Sequence, residues 1–148
     1  MSKLATEFDS PDASPGFLLW QITNKWQAQQ RQALAKFDLT HVQFVLLASL
    51  VWATDQATFT QKQLADHAKT DVMMASQVLR TLEKKGLINR TPSRLDARSM
   101  TLRPTKKGII LANKAVIAVE AVDKEFFSVL GADLPFFIQA MQQLIPNT

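Results

Sequence analysis

Apolar residues recur at helical spacing through most of the chain, and only short stretches read as strands. Leu18, Leu19, Ile22, Trp26, Leu34 and Phe37 predict a first helix from the Ser14-Pro15 cap pair to about Lys36, with Asn24, Gln27, Gln29, Gln30 and Arg31 falling mostly between them. Thr40 with Gln43 three residues on is a capping box. Behind it Val42, Val45, Leu46, Ser49, Leu50 and Ala53 predict a second, mostly buried helix.

Thr58-Phe59-Thr60 is long enough for one edge strand only, and Thr60 with Gln63 offers another capping box. Leu64, Ala65 and Ala68 then give about two helical turns, which Lys69-Thr70-Asp71 interrupts. From Val72 a new helix carries Ala75, Val78, Leu79 and Leu82 on one face, and Gly86 stops it, with Lys84 and Lys85 in the last turn where cations suit the helix dipole. Two helices joined by a tight turn form a helix-turn-helix. Leu87 to Arg90 and Ser99 to Arg103 read as two strands joined through Pro92, Arg94, Asp96 and Arg98, a hairpin placed as the wing of a winged helix. Pro104 lacks an amide donor and belongs at the end of the second strand.

From Thr105 the pattern is helical again. Ile109, Ala112, Val116, Val119, Val122 and Phe126 form one stripe, widened by Ile110, Leu111, Ala115, Ile117 and Phe127. Gly131 should stop this helix, Asp133 should cap the next, and Phe136, Phe137, Ala140, Met141, Leu144 and Ile145 supply a final amphipathic segment. So much apolar surface calls for cover from the first helix or from another copy of the chain, and a twofold dimer uses both. The expected fold is mainly α with a small β-hairpin wing (α+β). Its divisions are an N-terminal dimerisation helix over 1–38, a winged helix-turn-helix over 39–106 and C-terminal dimerisation helices over 107–148.

Composition narrows the function. The chain has 148 residues, no Cys and four Gly, which excludes a disulfide framework, a thiolate metal site and a redox thiol. Gly16, Gly86, Gly108 and Gly131 are too scattered for a phosphate-cradling loop, and His41 and His67 lack the neighbours of a nucleophile constellation or a metal site, so neither an enzyme nor a cofactor is expected. The first twenty residues break at Pro11 and Pro15 and carry acids, unlike a signal peptide. The apolar stretch Val42 to Ala53 is too short for a membrane span, and a soluble cytoplasmic protein is expected. The net charge of +4 is unevenly placed: between Thr60 and Gly108, Lys and Arg outnumber Asp and Glu eleven to four. Such a cluster is either a solvated face or a polyanion-binding module, and the helix-turn-helix within it favours the second.

Three stretches of the chain resemble the MarR family of winged-helix transcriptional regulators. They are Leu39-Thr40-His41-Val42-Gln43-Phe44-Val45-Leu46-Leu47; Gln63-Leu64-Ala65 followed by Ser76 to Arg90; and Asp96-Ala97-Arg98 with Leu102 and Thr105-Lys106-Lys107-Gly108. Pro104 departs from the family's apolar residue before the threonine. The resemblance implies a homodimer on a palindromic operator of double-stranded DNA, commonly a repressor, often with a small-molecule pocket between its DNA-binding and dimerisation parts.

On that reading Met73, Ser76, Gln77 and Arg80 face the major groove, where Gln suits adenine, Arg suits guanine and Met suits a thymine methyl. Met74 is expected to fill the core. Asp96 would orient Arg98 for a minor groove, and Lys62, Lys69, Arg90 and Arg94 would hold phosphates. Trp20, His41, Phe44 and Trp52 lie near the family's ligand cleft and could stack on an aromatic or phenolic effector, although core packing or dimer contact explains each of them as well. The competing function is a winged helix that docks on protein or RNA without specific duplex binding.

Overall fold

The computed structural model describes residues 4–53, 59–94 and 98–145. Its helices are α1 (Pro15–Leu34), α2 (His41–Ala53), α3 (Gln61–Ala68), α4 (Val72–Lys84), α5 (Lys106–Phe127) and α6 (Leu134–Leu144), and its strands are β1 (Phe59–Thr60), β2 (Ile88–Pro92) and β3 (Met100–Pro104). The helix starts follow the local chemistry. The Ser14 hydroxyl accepts from the Phe17 amide at 3.3 Å. The Thr40/Gln43 box closes at 3.2 and 3.1 Å, and the Thr60/Gln63 box at 3.1 and 2.9 Å. Each satisfies amide donors that the first helical turn leaves without a partner.

The ends are less regular. α1 tightens into a 3-10 turn over Ala35–Phe37, and Asp38 ends it in the left-handed region at φ 54°. α5 stops at Phe127, earlier than the expected stop at Gly131, because a 3-10 segment over Ser128–Asp133 intervenes and places Gly131 at φ 51° and ψ −124° inside it. Asp133 does not cap α6 with its side chain. Its backbone is helical where a capping residue is extended, and Pro135 removes one of the two amides a cap would bind.

One core runs through the molecule. Leu46, Leu47 and Leu50 of α2, Leu64 of α3, Ala75, Leu79 and Leu82 of α4, Ile88 of β2, Leu102 of β3 and Ala112, Ala115 and Val119 of α5 are all buried. α2 packs on α3, α4 and α5, so the helix-turn-helix and the long helix share its two sides. Among the described residues no single helix is long and apolar enough to cross a membrane.

The sheet order is β1-β3-β2, antiparallel throughout, and Leu102 at its centre faces both Phe59 and Arg90. Both strand prolines are accommodated by register. Thr105 N bonds Leu87 O at 3.0 Å at one end of the β2–β3 ladder and Ser93 N bonds Ser99 O at 2.8 Å at the other. Steps of two between those bonds leave the Ile88–Pro104 and Pro92–Met100 pairs at positions where no ladder amide is needed. Pro104 therefore pairs within β3 despite its departure from the family pattern.

Candidate DNA-binding interface

The interface begins with how α4 is held. Asp71 Oδ1 accepts from the amides of Met73 at 2.9 Å and Met74 at 3.0 Å, fixing the first turn. At the other end Gly86 sits at φ 76°, Gly86 N bonds Glu83 O at 2.9 Å and Leu87 N bonds Leu82 O at 3.0 Å, the paired bonds of a Schellman stop. The turn between α3 and α4 makes the same sharp reversal on Lys69 at φ 56°. A side chain in that conformation is strained, and here it places a lysine at the outer edge of the helix-turn-helix.

With Ala75, Leu79 and Leu82 buried, the opposite face of α4 points outward. Met73 is 80 % exposed, Gln77 and Arg80 are exposed and Ser76 is half-buried, so the four residues expected at the major groove share one accessible face. Lys62 on α3, Lys69 in the turn and Arg94 beyond β2 are exposed as well. Arg98 is exposed just before β3, while its expected partner Asp96 lies outside the described residues.

Two residues behave differently from the sequence reading. Met74, expected in the core, is 52 % exposed, because α4 buries the Ala75–Leu79–Leu82 stripe and Met74 falls beside it. Arg90, expected at a phosphate, is turned inward: its Nε donates to Glu83 Oε1 at 3.2 Å and a terminal nitrogen to Gln61 Oε1 at 3.4 Å. It braces the end of α4 against β2 and the start of α3. Lys85 is likewise engaged, donating to Asp38 O at 2.5 Å and Gln43 Oε1 at 3.1 Å.

The four residues considered for an effector are not brought together. Phe44 is core, Trp20 is 65 % and Trp52 81 % exposed, and His41 stacks edge-on against Trp26 with ring centroids 4.9 Å apart. None of the four lines the cleft of about 860 Å³ that opens between α1 and the α5–α6 end, whose walls include Ile22, Lys25, Gln29, Phe126, Phe127 and Phe137.

Behind His41 lies a polar junction that sequence reasoning missed. Asp123 Oδ1 of α5 accepts from Trp26 Nε1 at 2.7 Å and from Gln30 Nε2 at 2.8 Å, and Gln30, fully buried, also donates to Val119 O at 3.3 Å. Burial lowers the His41 pKa, Asp123 opposes that shift and Arg31 adds to it, so the imidazole at the root of α2 is neutral near pH 7. No signal in the sequence separates Gln30 from Gln27 and Gln29 around it.

A capped, outward-facing helix preceded by a helix-turn and followed by a hairpin defines a winged helix-turn-helix protein of the DNA-binding class. The MarR family model matches residues 39–100. The HTH-type transcriptional regulator YdcH of Bacillus subtilis is 44 % identical over 143 residues, covering 96 % of this chain and 97 % of that one. An HTH-type transcriptional repressor of Mycobacterium tuberculosis is 31 % identical over 121 residues, covering 82 % of this chain and 85 % of that one. Among solved structures, the transcriptional repressor CouR bound to a 23-mer DNA duplex superposes with TM-score 0.81 at 24 % identity, over 97 % of this chain and 99 % of that one. CouR from Rhodococcus jostii bound to p-coumaroyl-CoA superposes with TM-score 0.78 at 22 % identity, over 93 % and 95 %. The chain belongs to the MarR family of transcriptional regulators.

Proposed function

We propose that two copies of this chain bind one palindromic operator and repress transcription from it, with α4 of each copy in a major groove and each wing along the neighbouring minor groove. The observation that carries the reading is the α4 face on which Met73, Gln77 and Arg80 stand exposed, with Ser76 half-buried among them, opposite a face packed at Ala75, Leu79 and Leu82. Pairing of two copies is supported by the terminal helices: α6 buries none of its residues, and Ile117, Phe136 and Leu144 are each more than two-thirds exposed. Apolar side chains left open on neighbouring helices mark an interface.

Release by a small aromatic effector is supported by the aromatic-walled cleft between α1 and α5, where Lys25 supplies a cation for an acidic group. Trp20 and Trp52 have no part in it. Lys62, Lys69 and Arg94 position the protein on phosphates, Gln77 and Arg80 read base edges, and Arg98 enters the minor groove.

Gln77→Ala tests the major-groove assignment. The variant should fold as the parent does, since the side chain is exposed, and should bind the selected operator more weakly by about 1–3 kcal/mol with relaxed preference at one base pair per half-site. An unchanged isotherm and unchanged base preference for the folded variant would remove α4 from base reading.

A further inference from the structure

The first turn of α4 presents Val72, Met73 and Met74, which are 46 %, 80 % and 52 % exposed, on a helix whose opposite face is packed to zero exposure at Ala75, Leu79 and Leu82. Three consecutive apolar side chains held out in water at the tip of a recognition helix form a contiguous patch of the kind that marks an interaction surface. The amides of that turn exclude one kind of partner. Met73 N and Met74 N are already taken by the Asp71 carboxylate, so this tip does not offer them to a phosphate, and the carboxylate repels one. What remains is a polarizable apolar surface whose Met73 and Met74 amides are occupied, at the end of a helix whose next outward positions are Gln77 and Arg80.

Within a major groove one apolar feature distinguishes the base pairs, the C5-methyl of thymine. We propose that Met73 and Met74 together form a methyl-reading tip, so that operator selectivity at the tip position rests on thymine C5-methyl groups and not on hydrogen bonds. Met73 lies on the central outward line of α4 with Gln77 and Arg80, and Met74 lies to its flank beside Thr81, so the two thioethers reach neighbouring base steps. Unbranched, polarizable methionine can adapt its shape to either strand's methyl. The inference rests on the proposed operator binding and adds the chemistry by which one part of the operator is recognised. A second copy of the chain is the competing occupant, and the basic surroundings of the tip, Lys62, Lys69 and Arg80 within the same helix-turn-helix, favour the polyanion.

The test uses the full chain and its selected duplex, with each thymine replaced in turn by 2′-deoxyuridine, which removes only the methyl group. Binding should weaken roughly fourfold per methyl at one or two positions in each half-site, the value expected for one buried methyl-sized group. The Met73→Ala/Met74→Ala variant should bind thymine and deoxyuridine duplexes alike, while Met73→Leu should keep part of the difference. Equal affinity of the parent protein for every substituted duplex, with selectivity over scrambled DNA intact, overturns the methyl reading and leaves operator binding standing. A deoxyuridine effect that survives the double alanine variant overturns the assignment to these two residues. A change in the sedimentation of the DNA-free double variant shows a protein contact at the tip and overturns it too. Failure to select any duplex overturns both readings.

Discussion

Raising salt from about 50 to about 200 mM should lower the affinity of the protein for its operator by roughly 10³- to 10⁵-fold, as expected when six to ten phosphates are neutralised. The estimate follows from which cations face outward. Arg90 is committed to Glu83 and Gln61 and Lys85 to Asp38 and Gln43, so these two contribute little to counterion release. Lys62, Lys69, Arg80 and Arg94 are exposed on the helix-turn-helix and wing of each copy, enough for a pair to reach that range. Lys62→Ala should reduce the slope of log affinity against log salt by about two per pair of chains, with no change in base preference. A flat salt dependence measured by fluorescence anisotropy would contradict phosphate contact as the source of affinity.

Gly108→Ala should destabilise the protein by about 3 kcal/mol in denaturant titration, although the same change in an ordinary helix interior gains about 1 kcal/mol. A Cβ at Gly108 would collide with Leu87 O and crowd Leu87 C, both backbone atoms that no rotamer change can move aside. The close approach is fastened from several sides. Thr105 N donates to Leu87 O at 3.0 Å, the Thr105 hydroxyl donates to Gly86 O at 2.6 Å, and that hydroxyl accepts from Gly108 N at 3.0 Å. This is where the end of the recognition helix, the first wing strand and the long helix meet. Displacing α5 there also reorients the wing against the terminal helices, so the folded fraction of the variant should lose operator affinity. A Gly108→Ala protein as stable as its parent would show that α5 does not dock on this backbone.

Where local chemistry decides structure, the chain could be read directly. The Thr40/Gln43 and Thr60/Gln63 boxes, the Ser14-Pro15 start, the Gly86 stop and the two wing strands all depend on residues within a few positions of one another. Asp71 was visible only as a break between two helices, yet it caps α4 and closes the amides of the methionine tip. The misread features depend on distant partners. Arg90 meets Gln61 across 29 residues, and Gln30 meets Asp123 across 93, distances over which periodicity carries no information. Trp20 and Trp52 have the character of pocket residues but stand exposed: the cleft forms along another face of α1, at Ile22, Lys25 and Gln29, and Trp52 lies on α2, which contributes nothing to the walls. α5 ends at Phe127 because the chain tightens into 3-10 geometry, and Gly131, at φ 51° and ψ −124°, then makes the kink that precedes α6.

Reading of a twofold-symmetric duplex by paired copies through α4 has a plain test. Selection of bound duplexes from random DNA by the purified full chain, read out by sequencing, tests it most directly. The expected result is enrichment of an inverted repeat whose half-site centres lie about one helical turn apart, around 10 base pairs. Recovery of unpaired half-sites at arbitrary spacing, or of no enriched sequence at all, would contradict it.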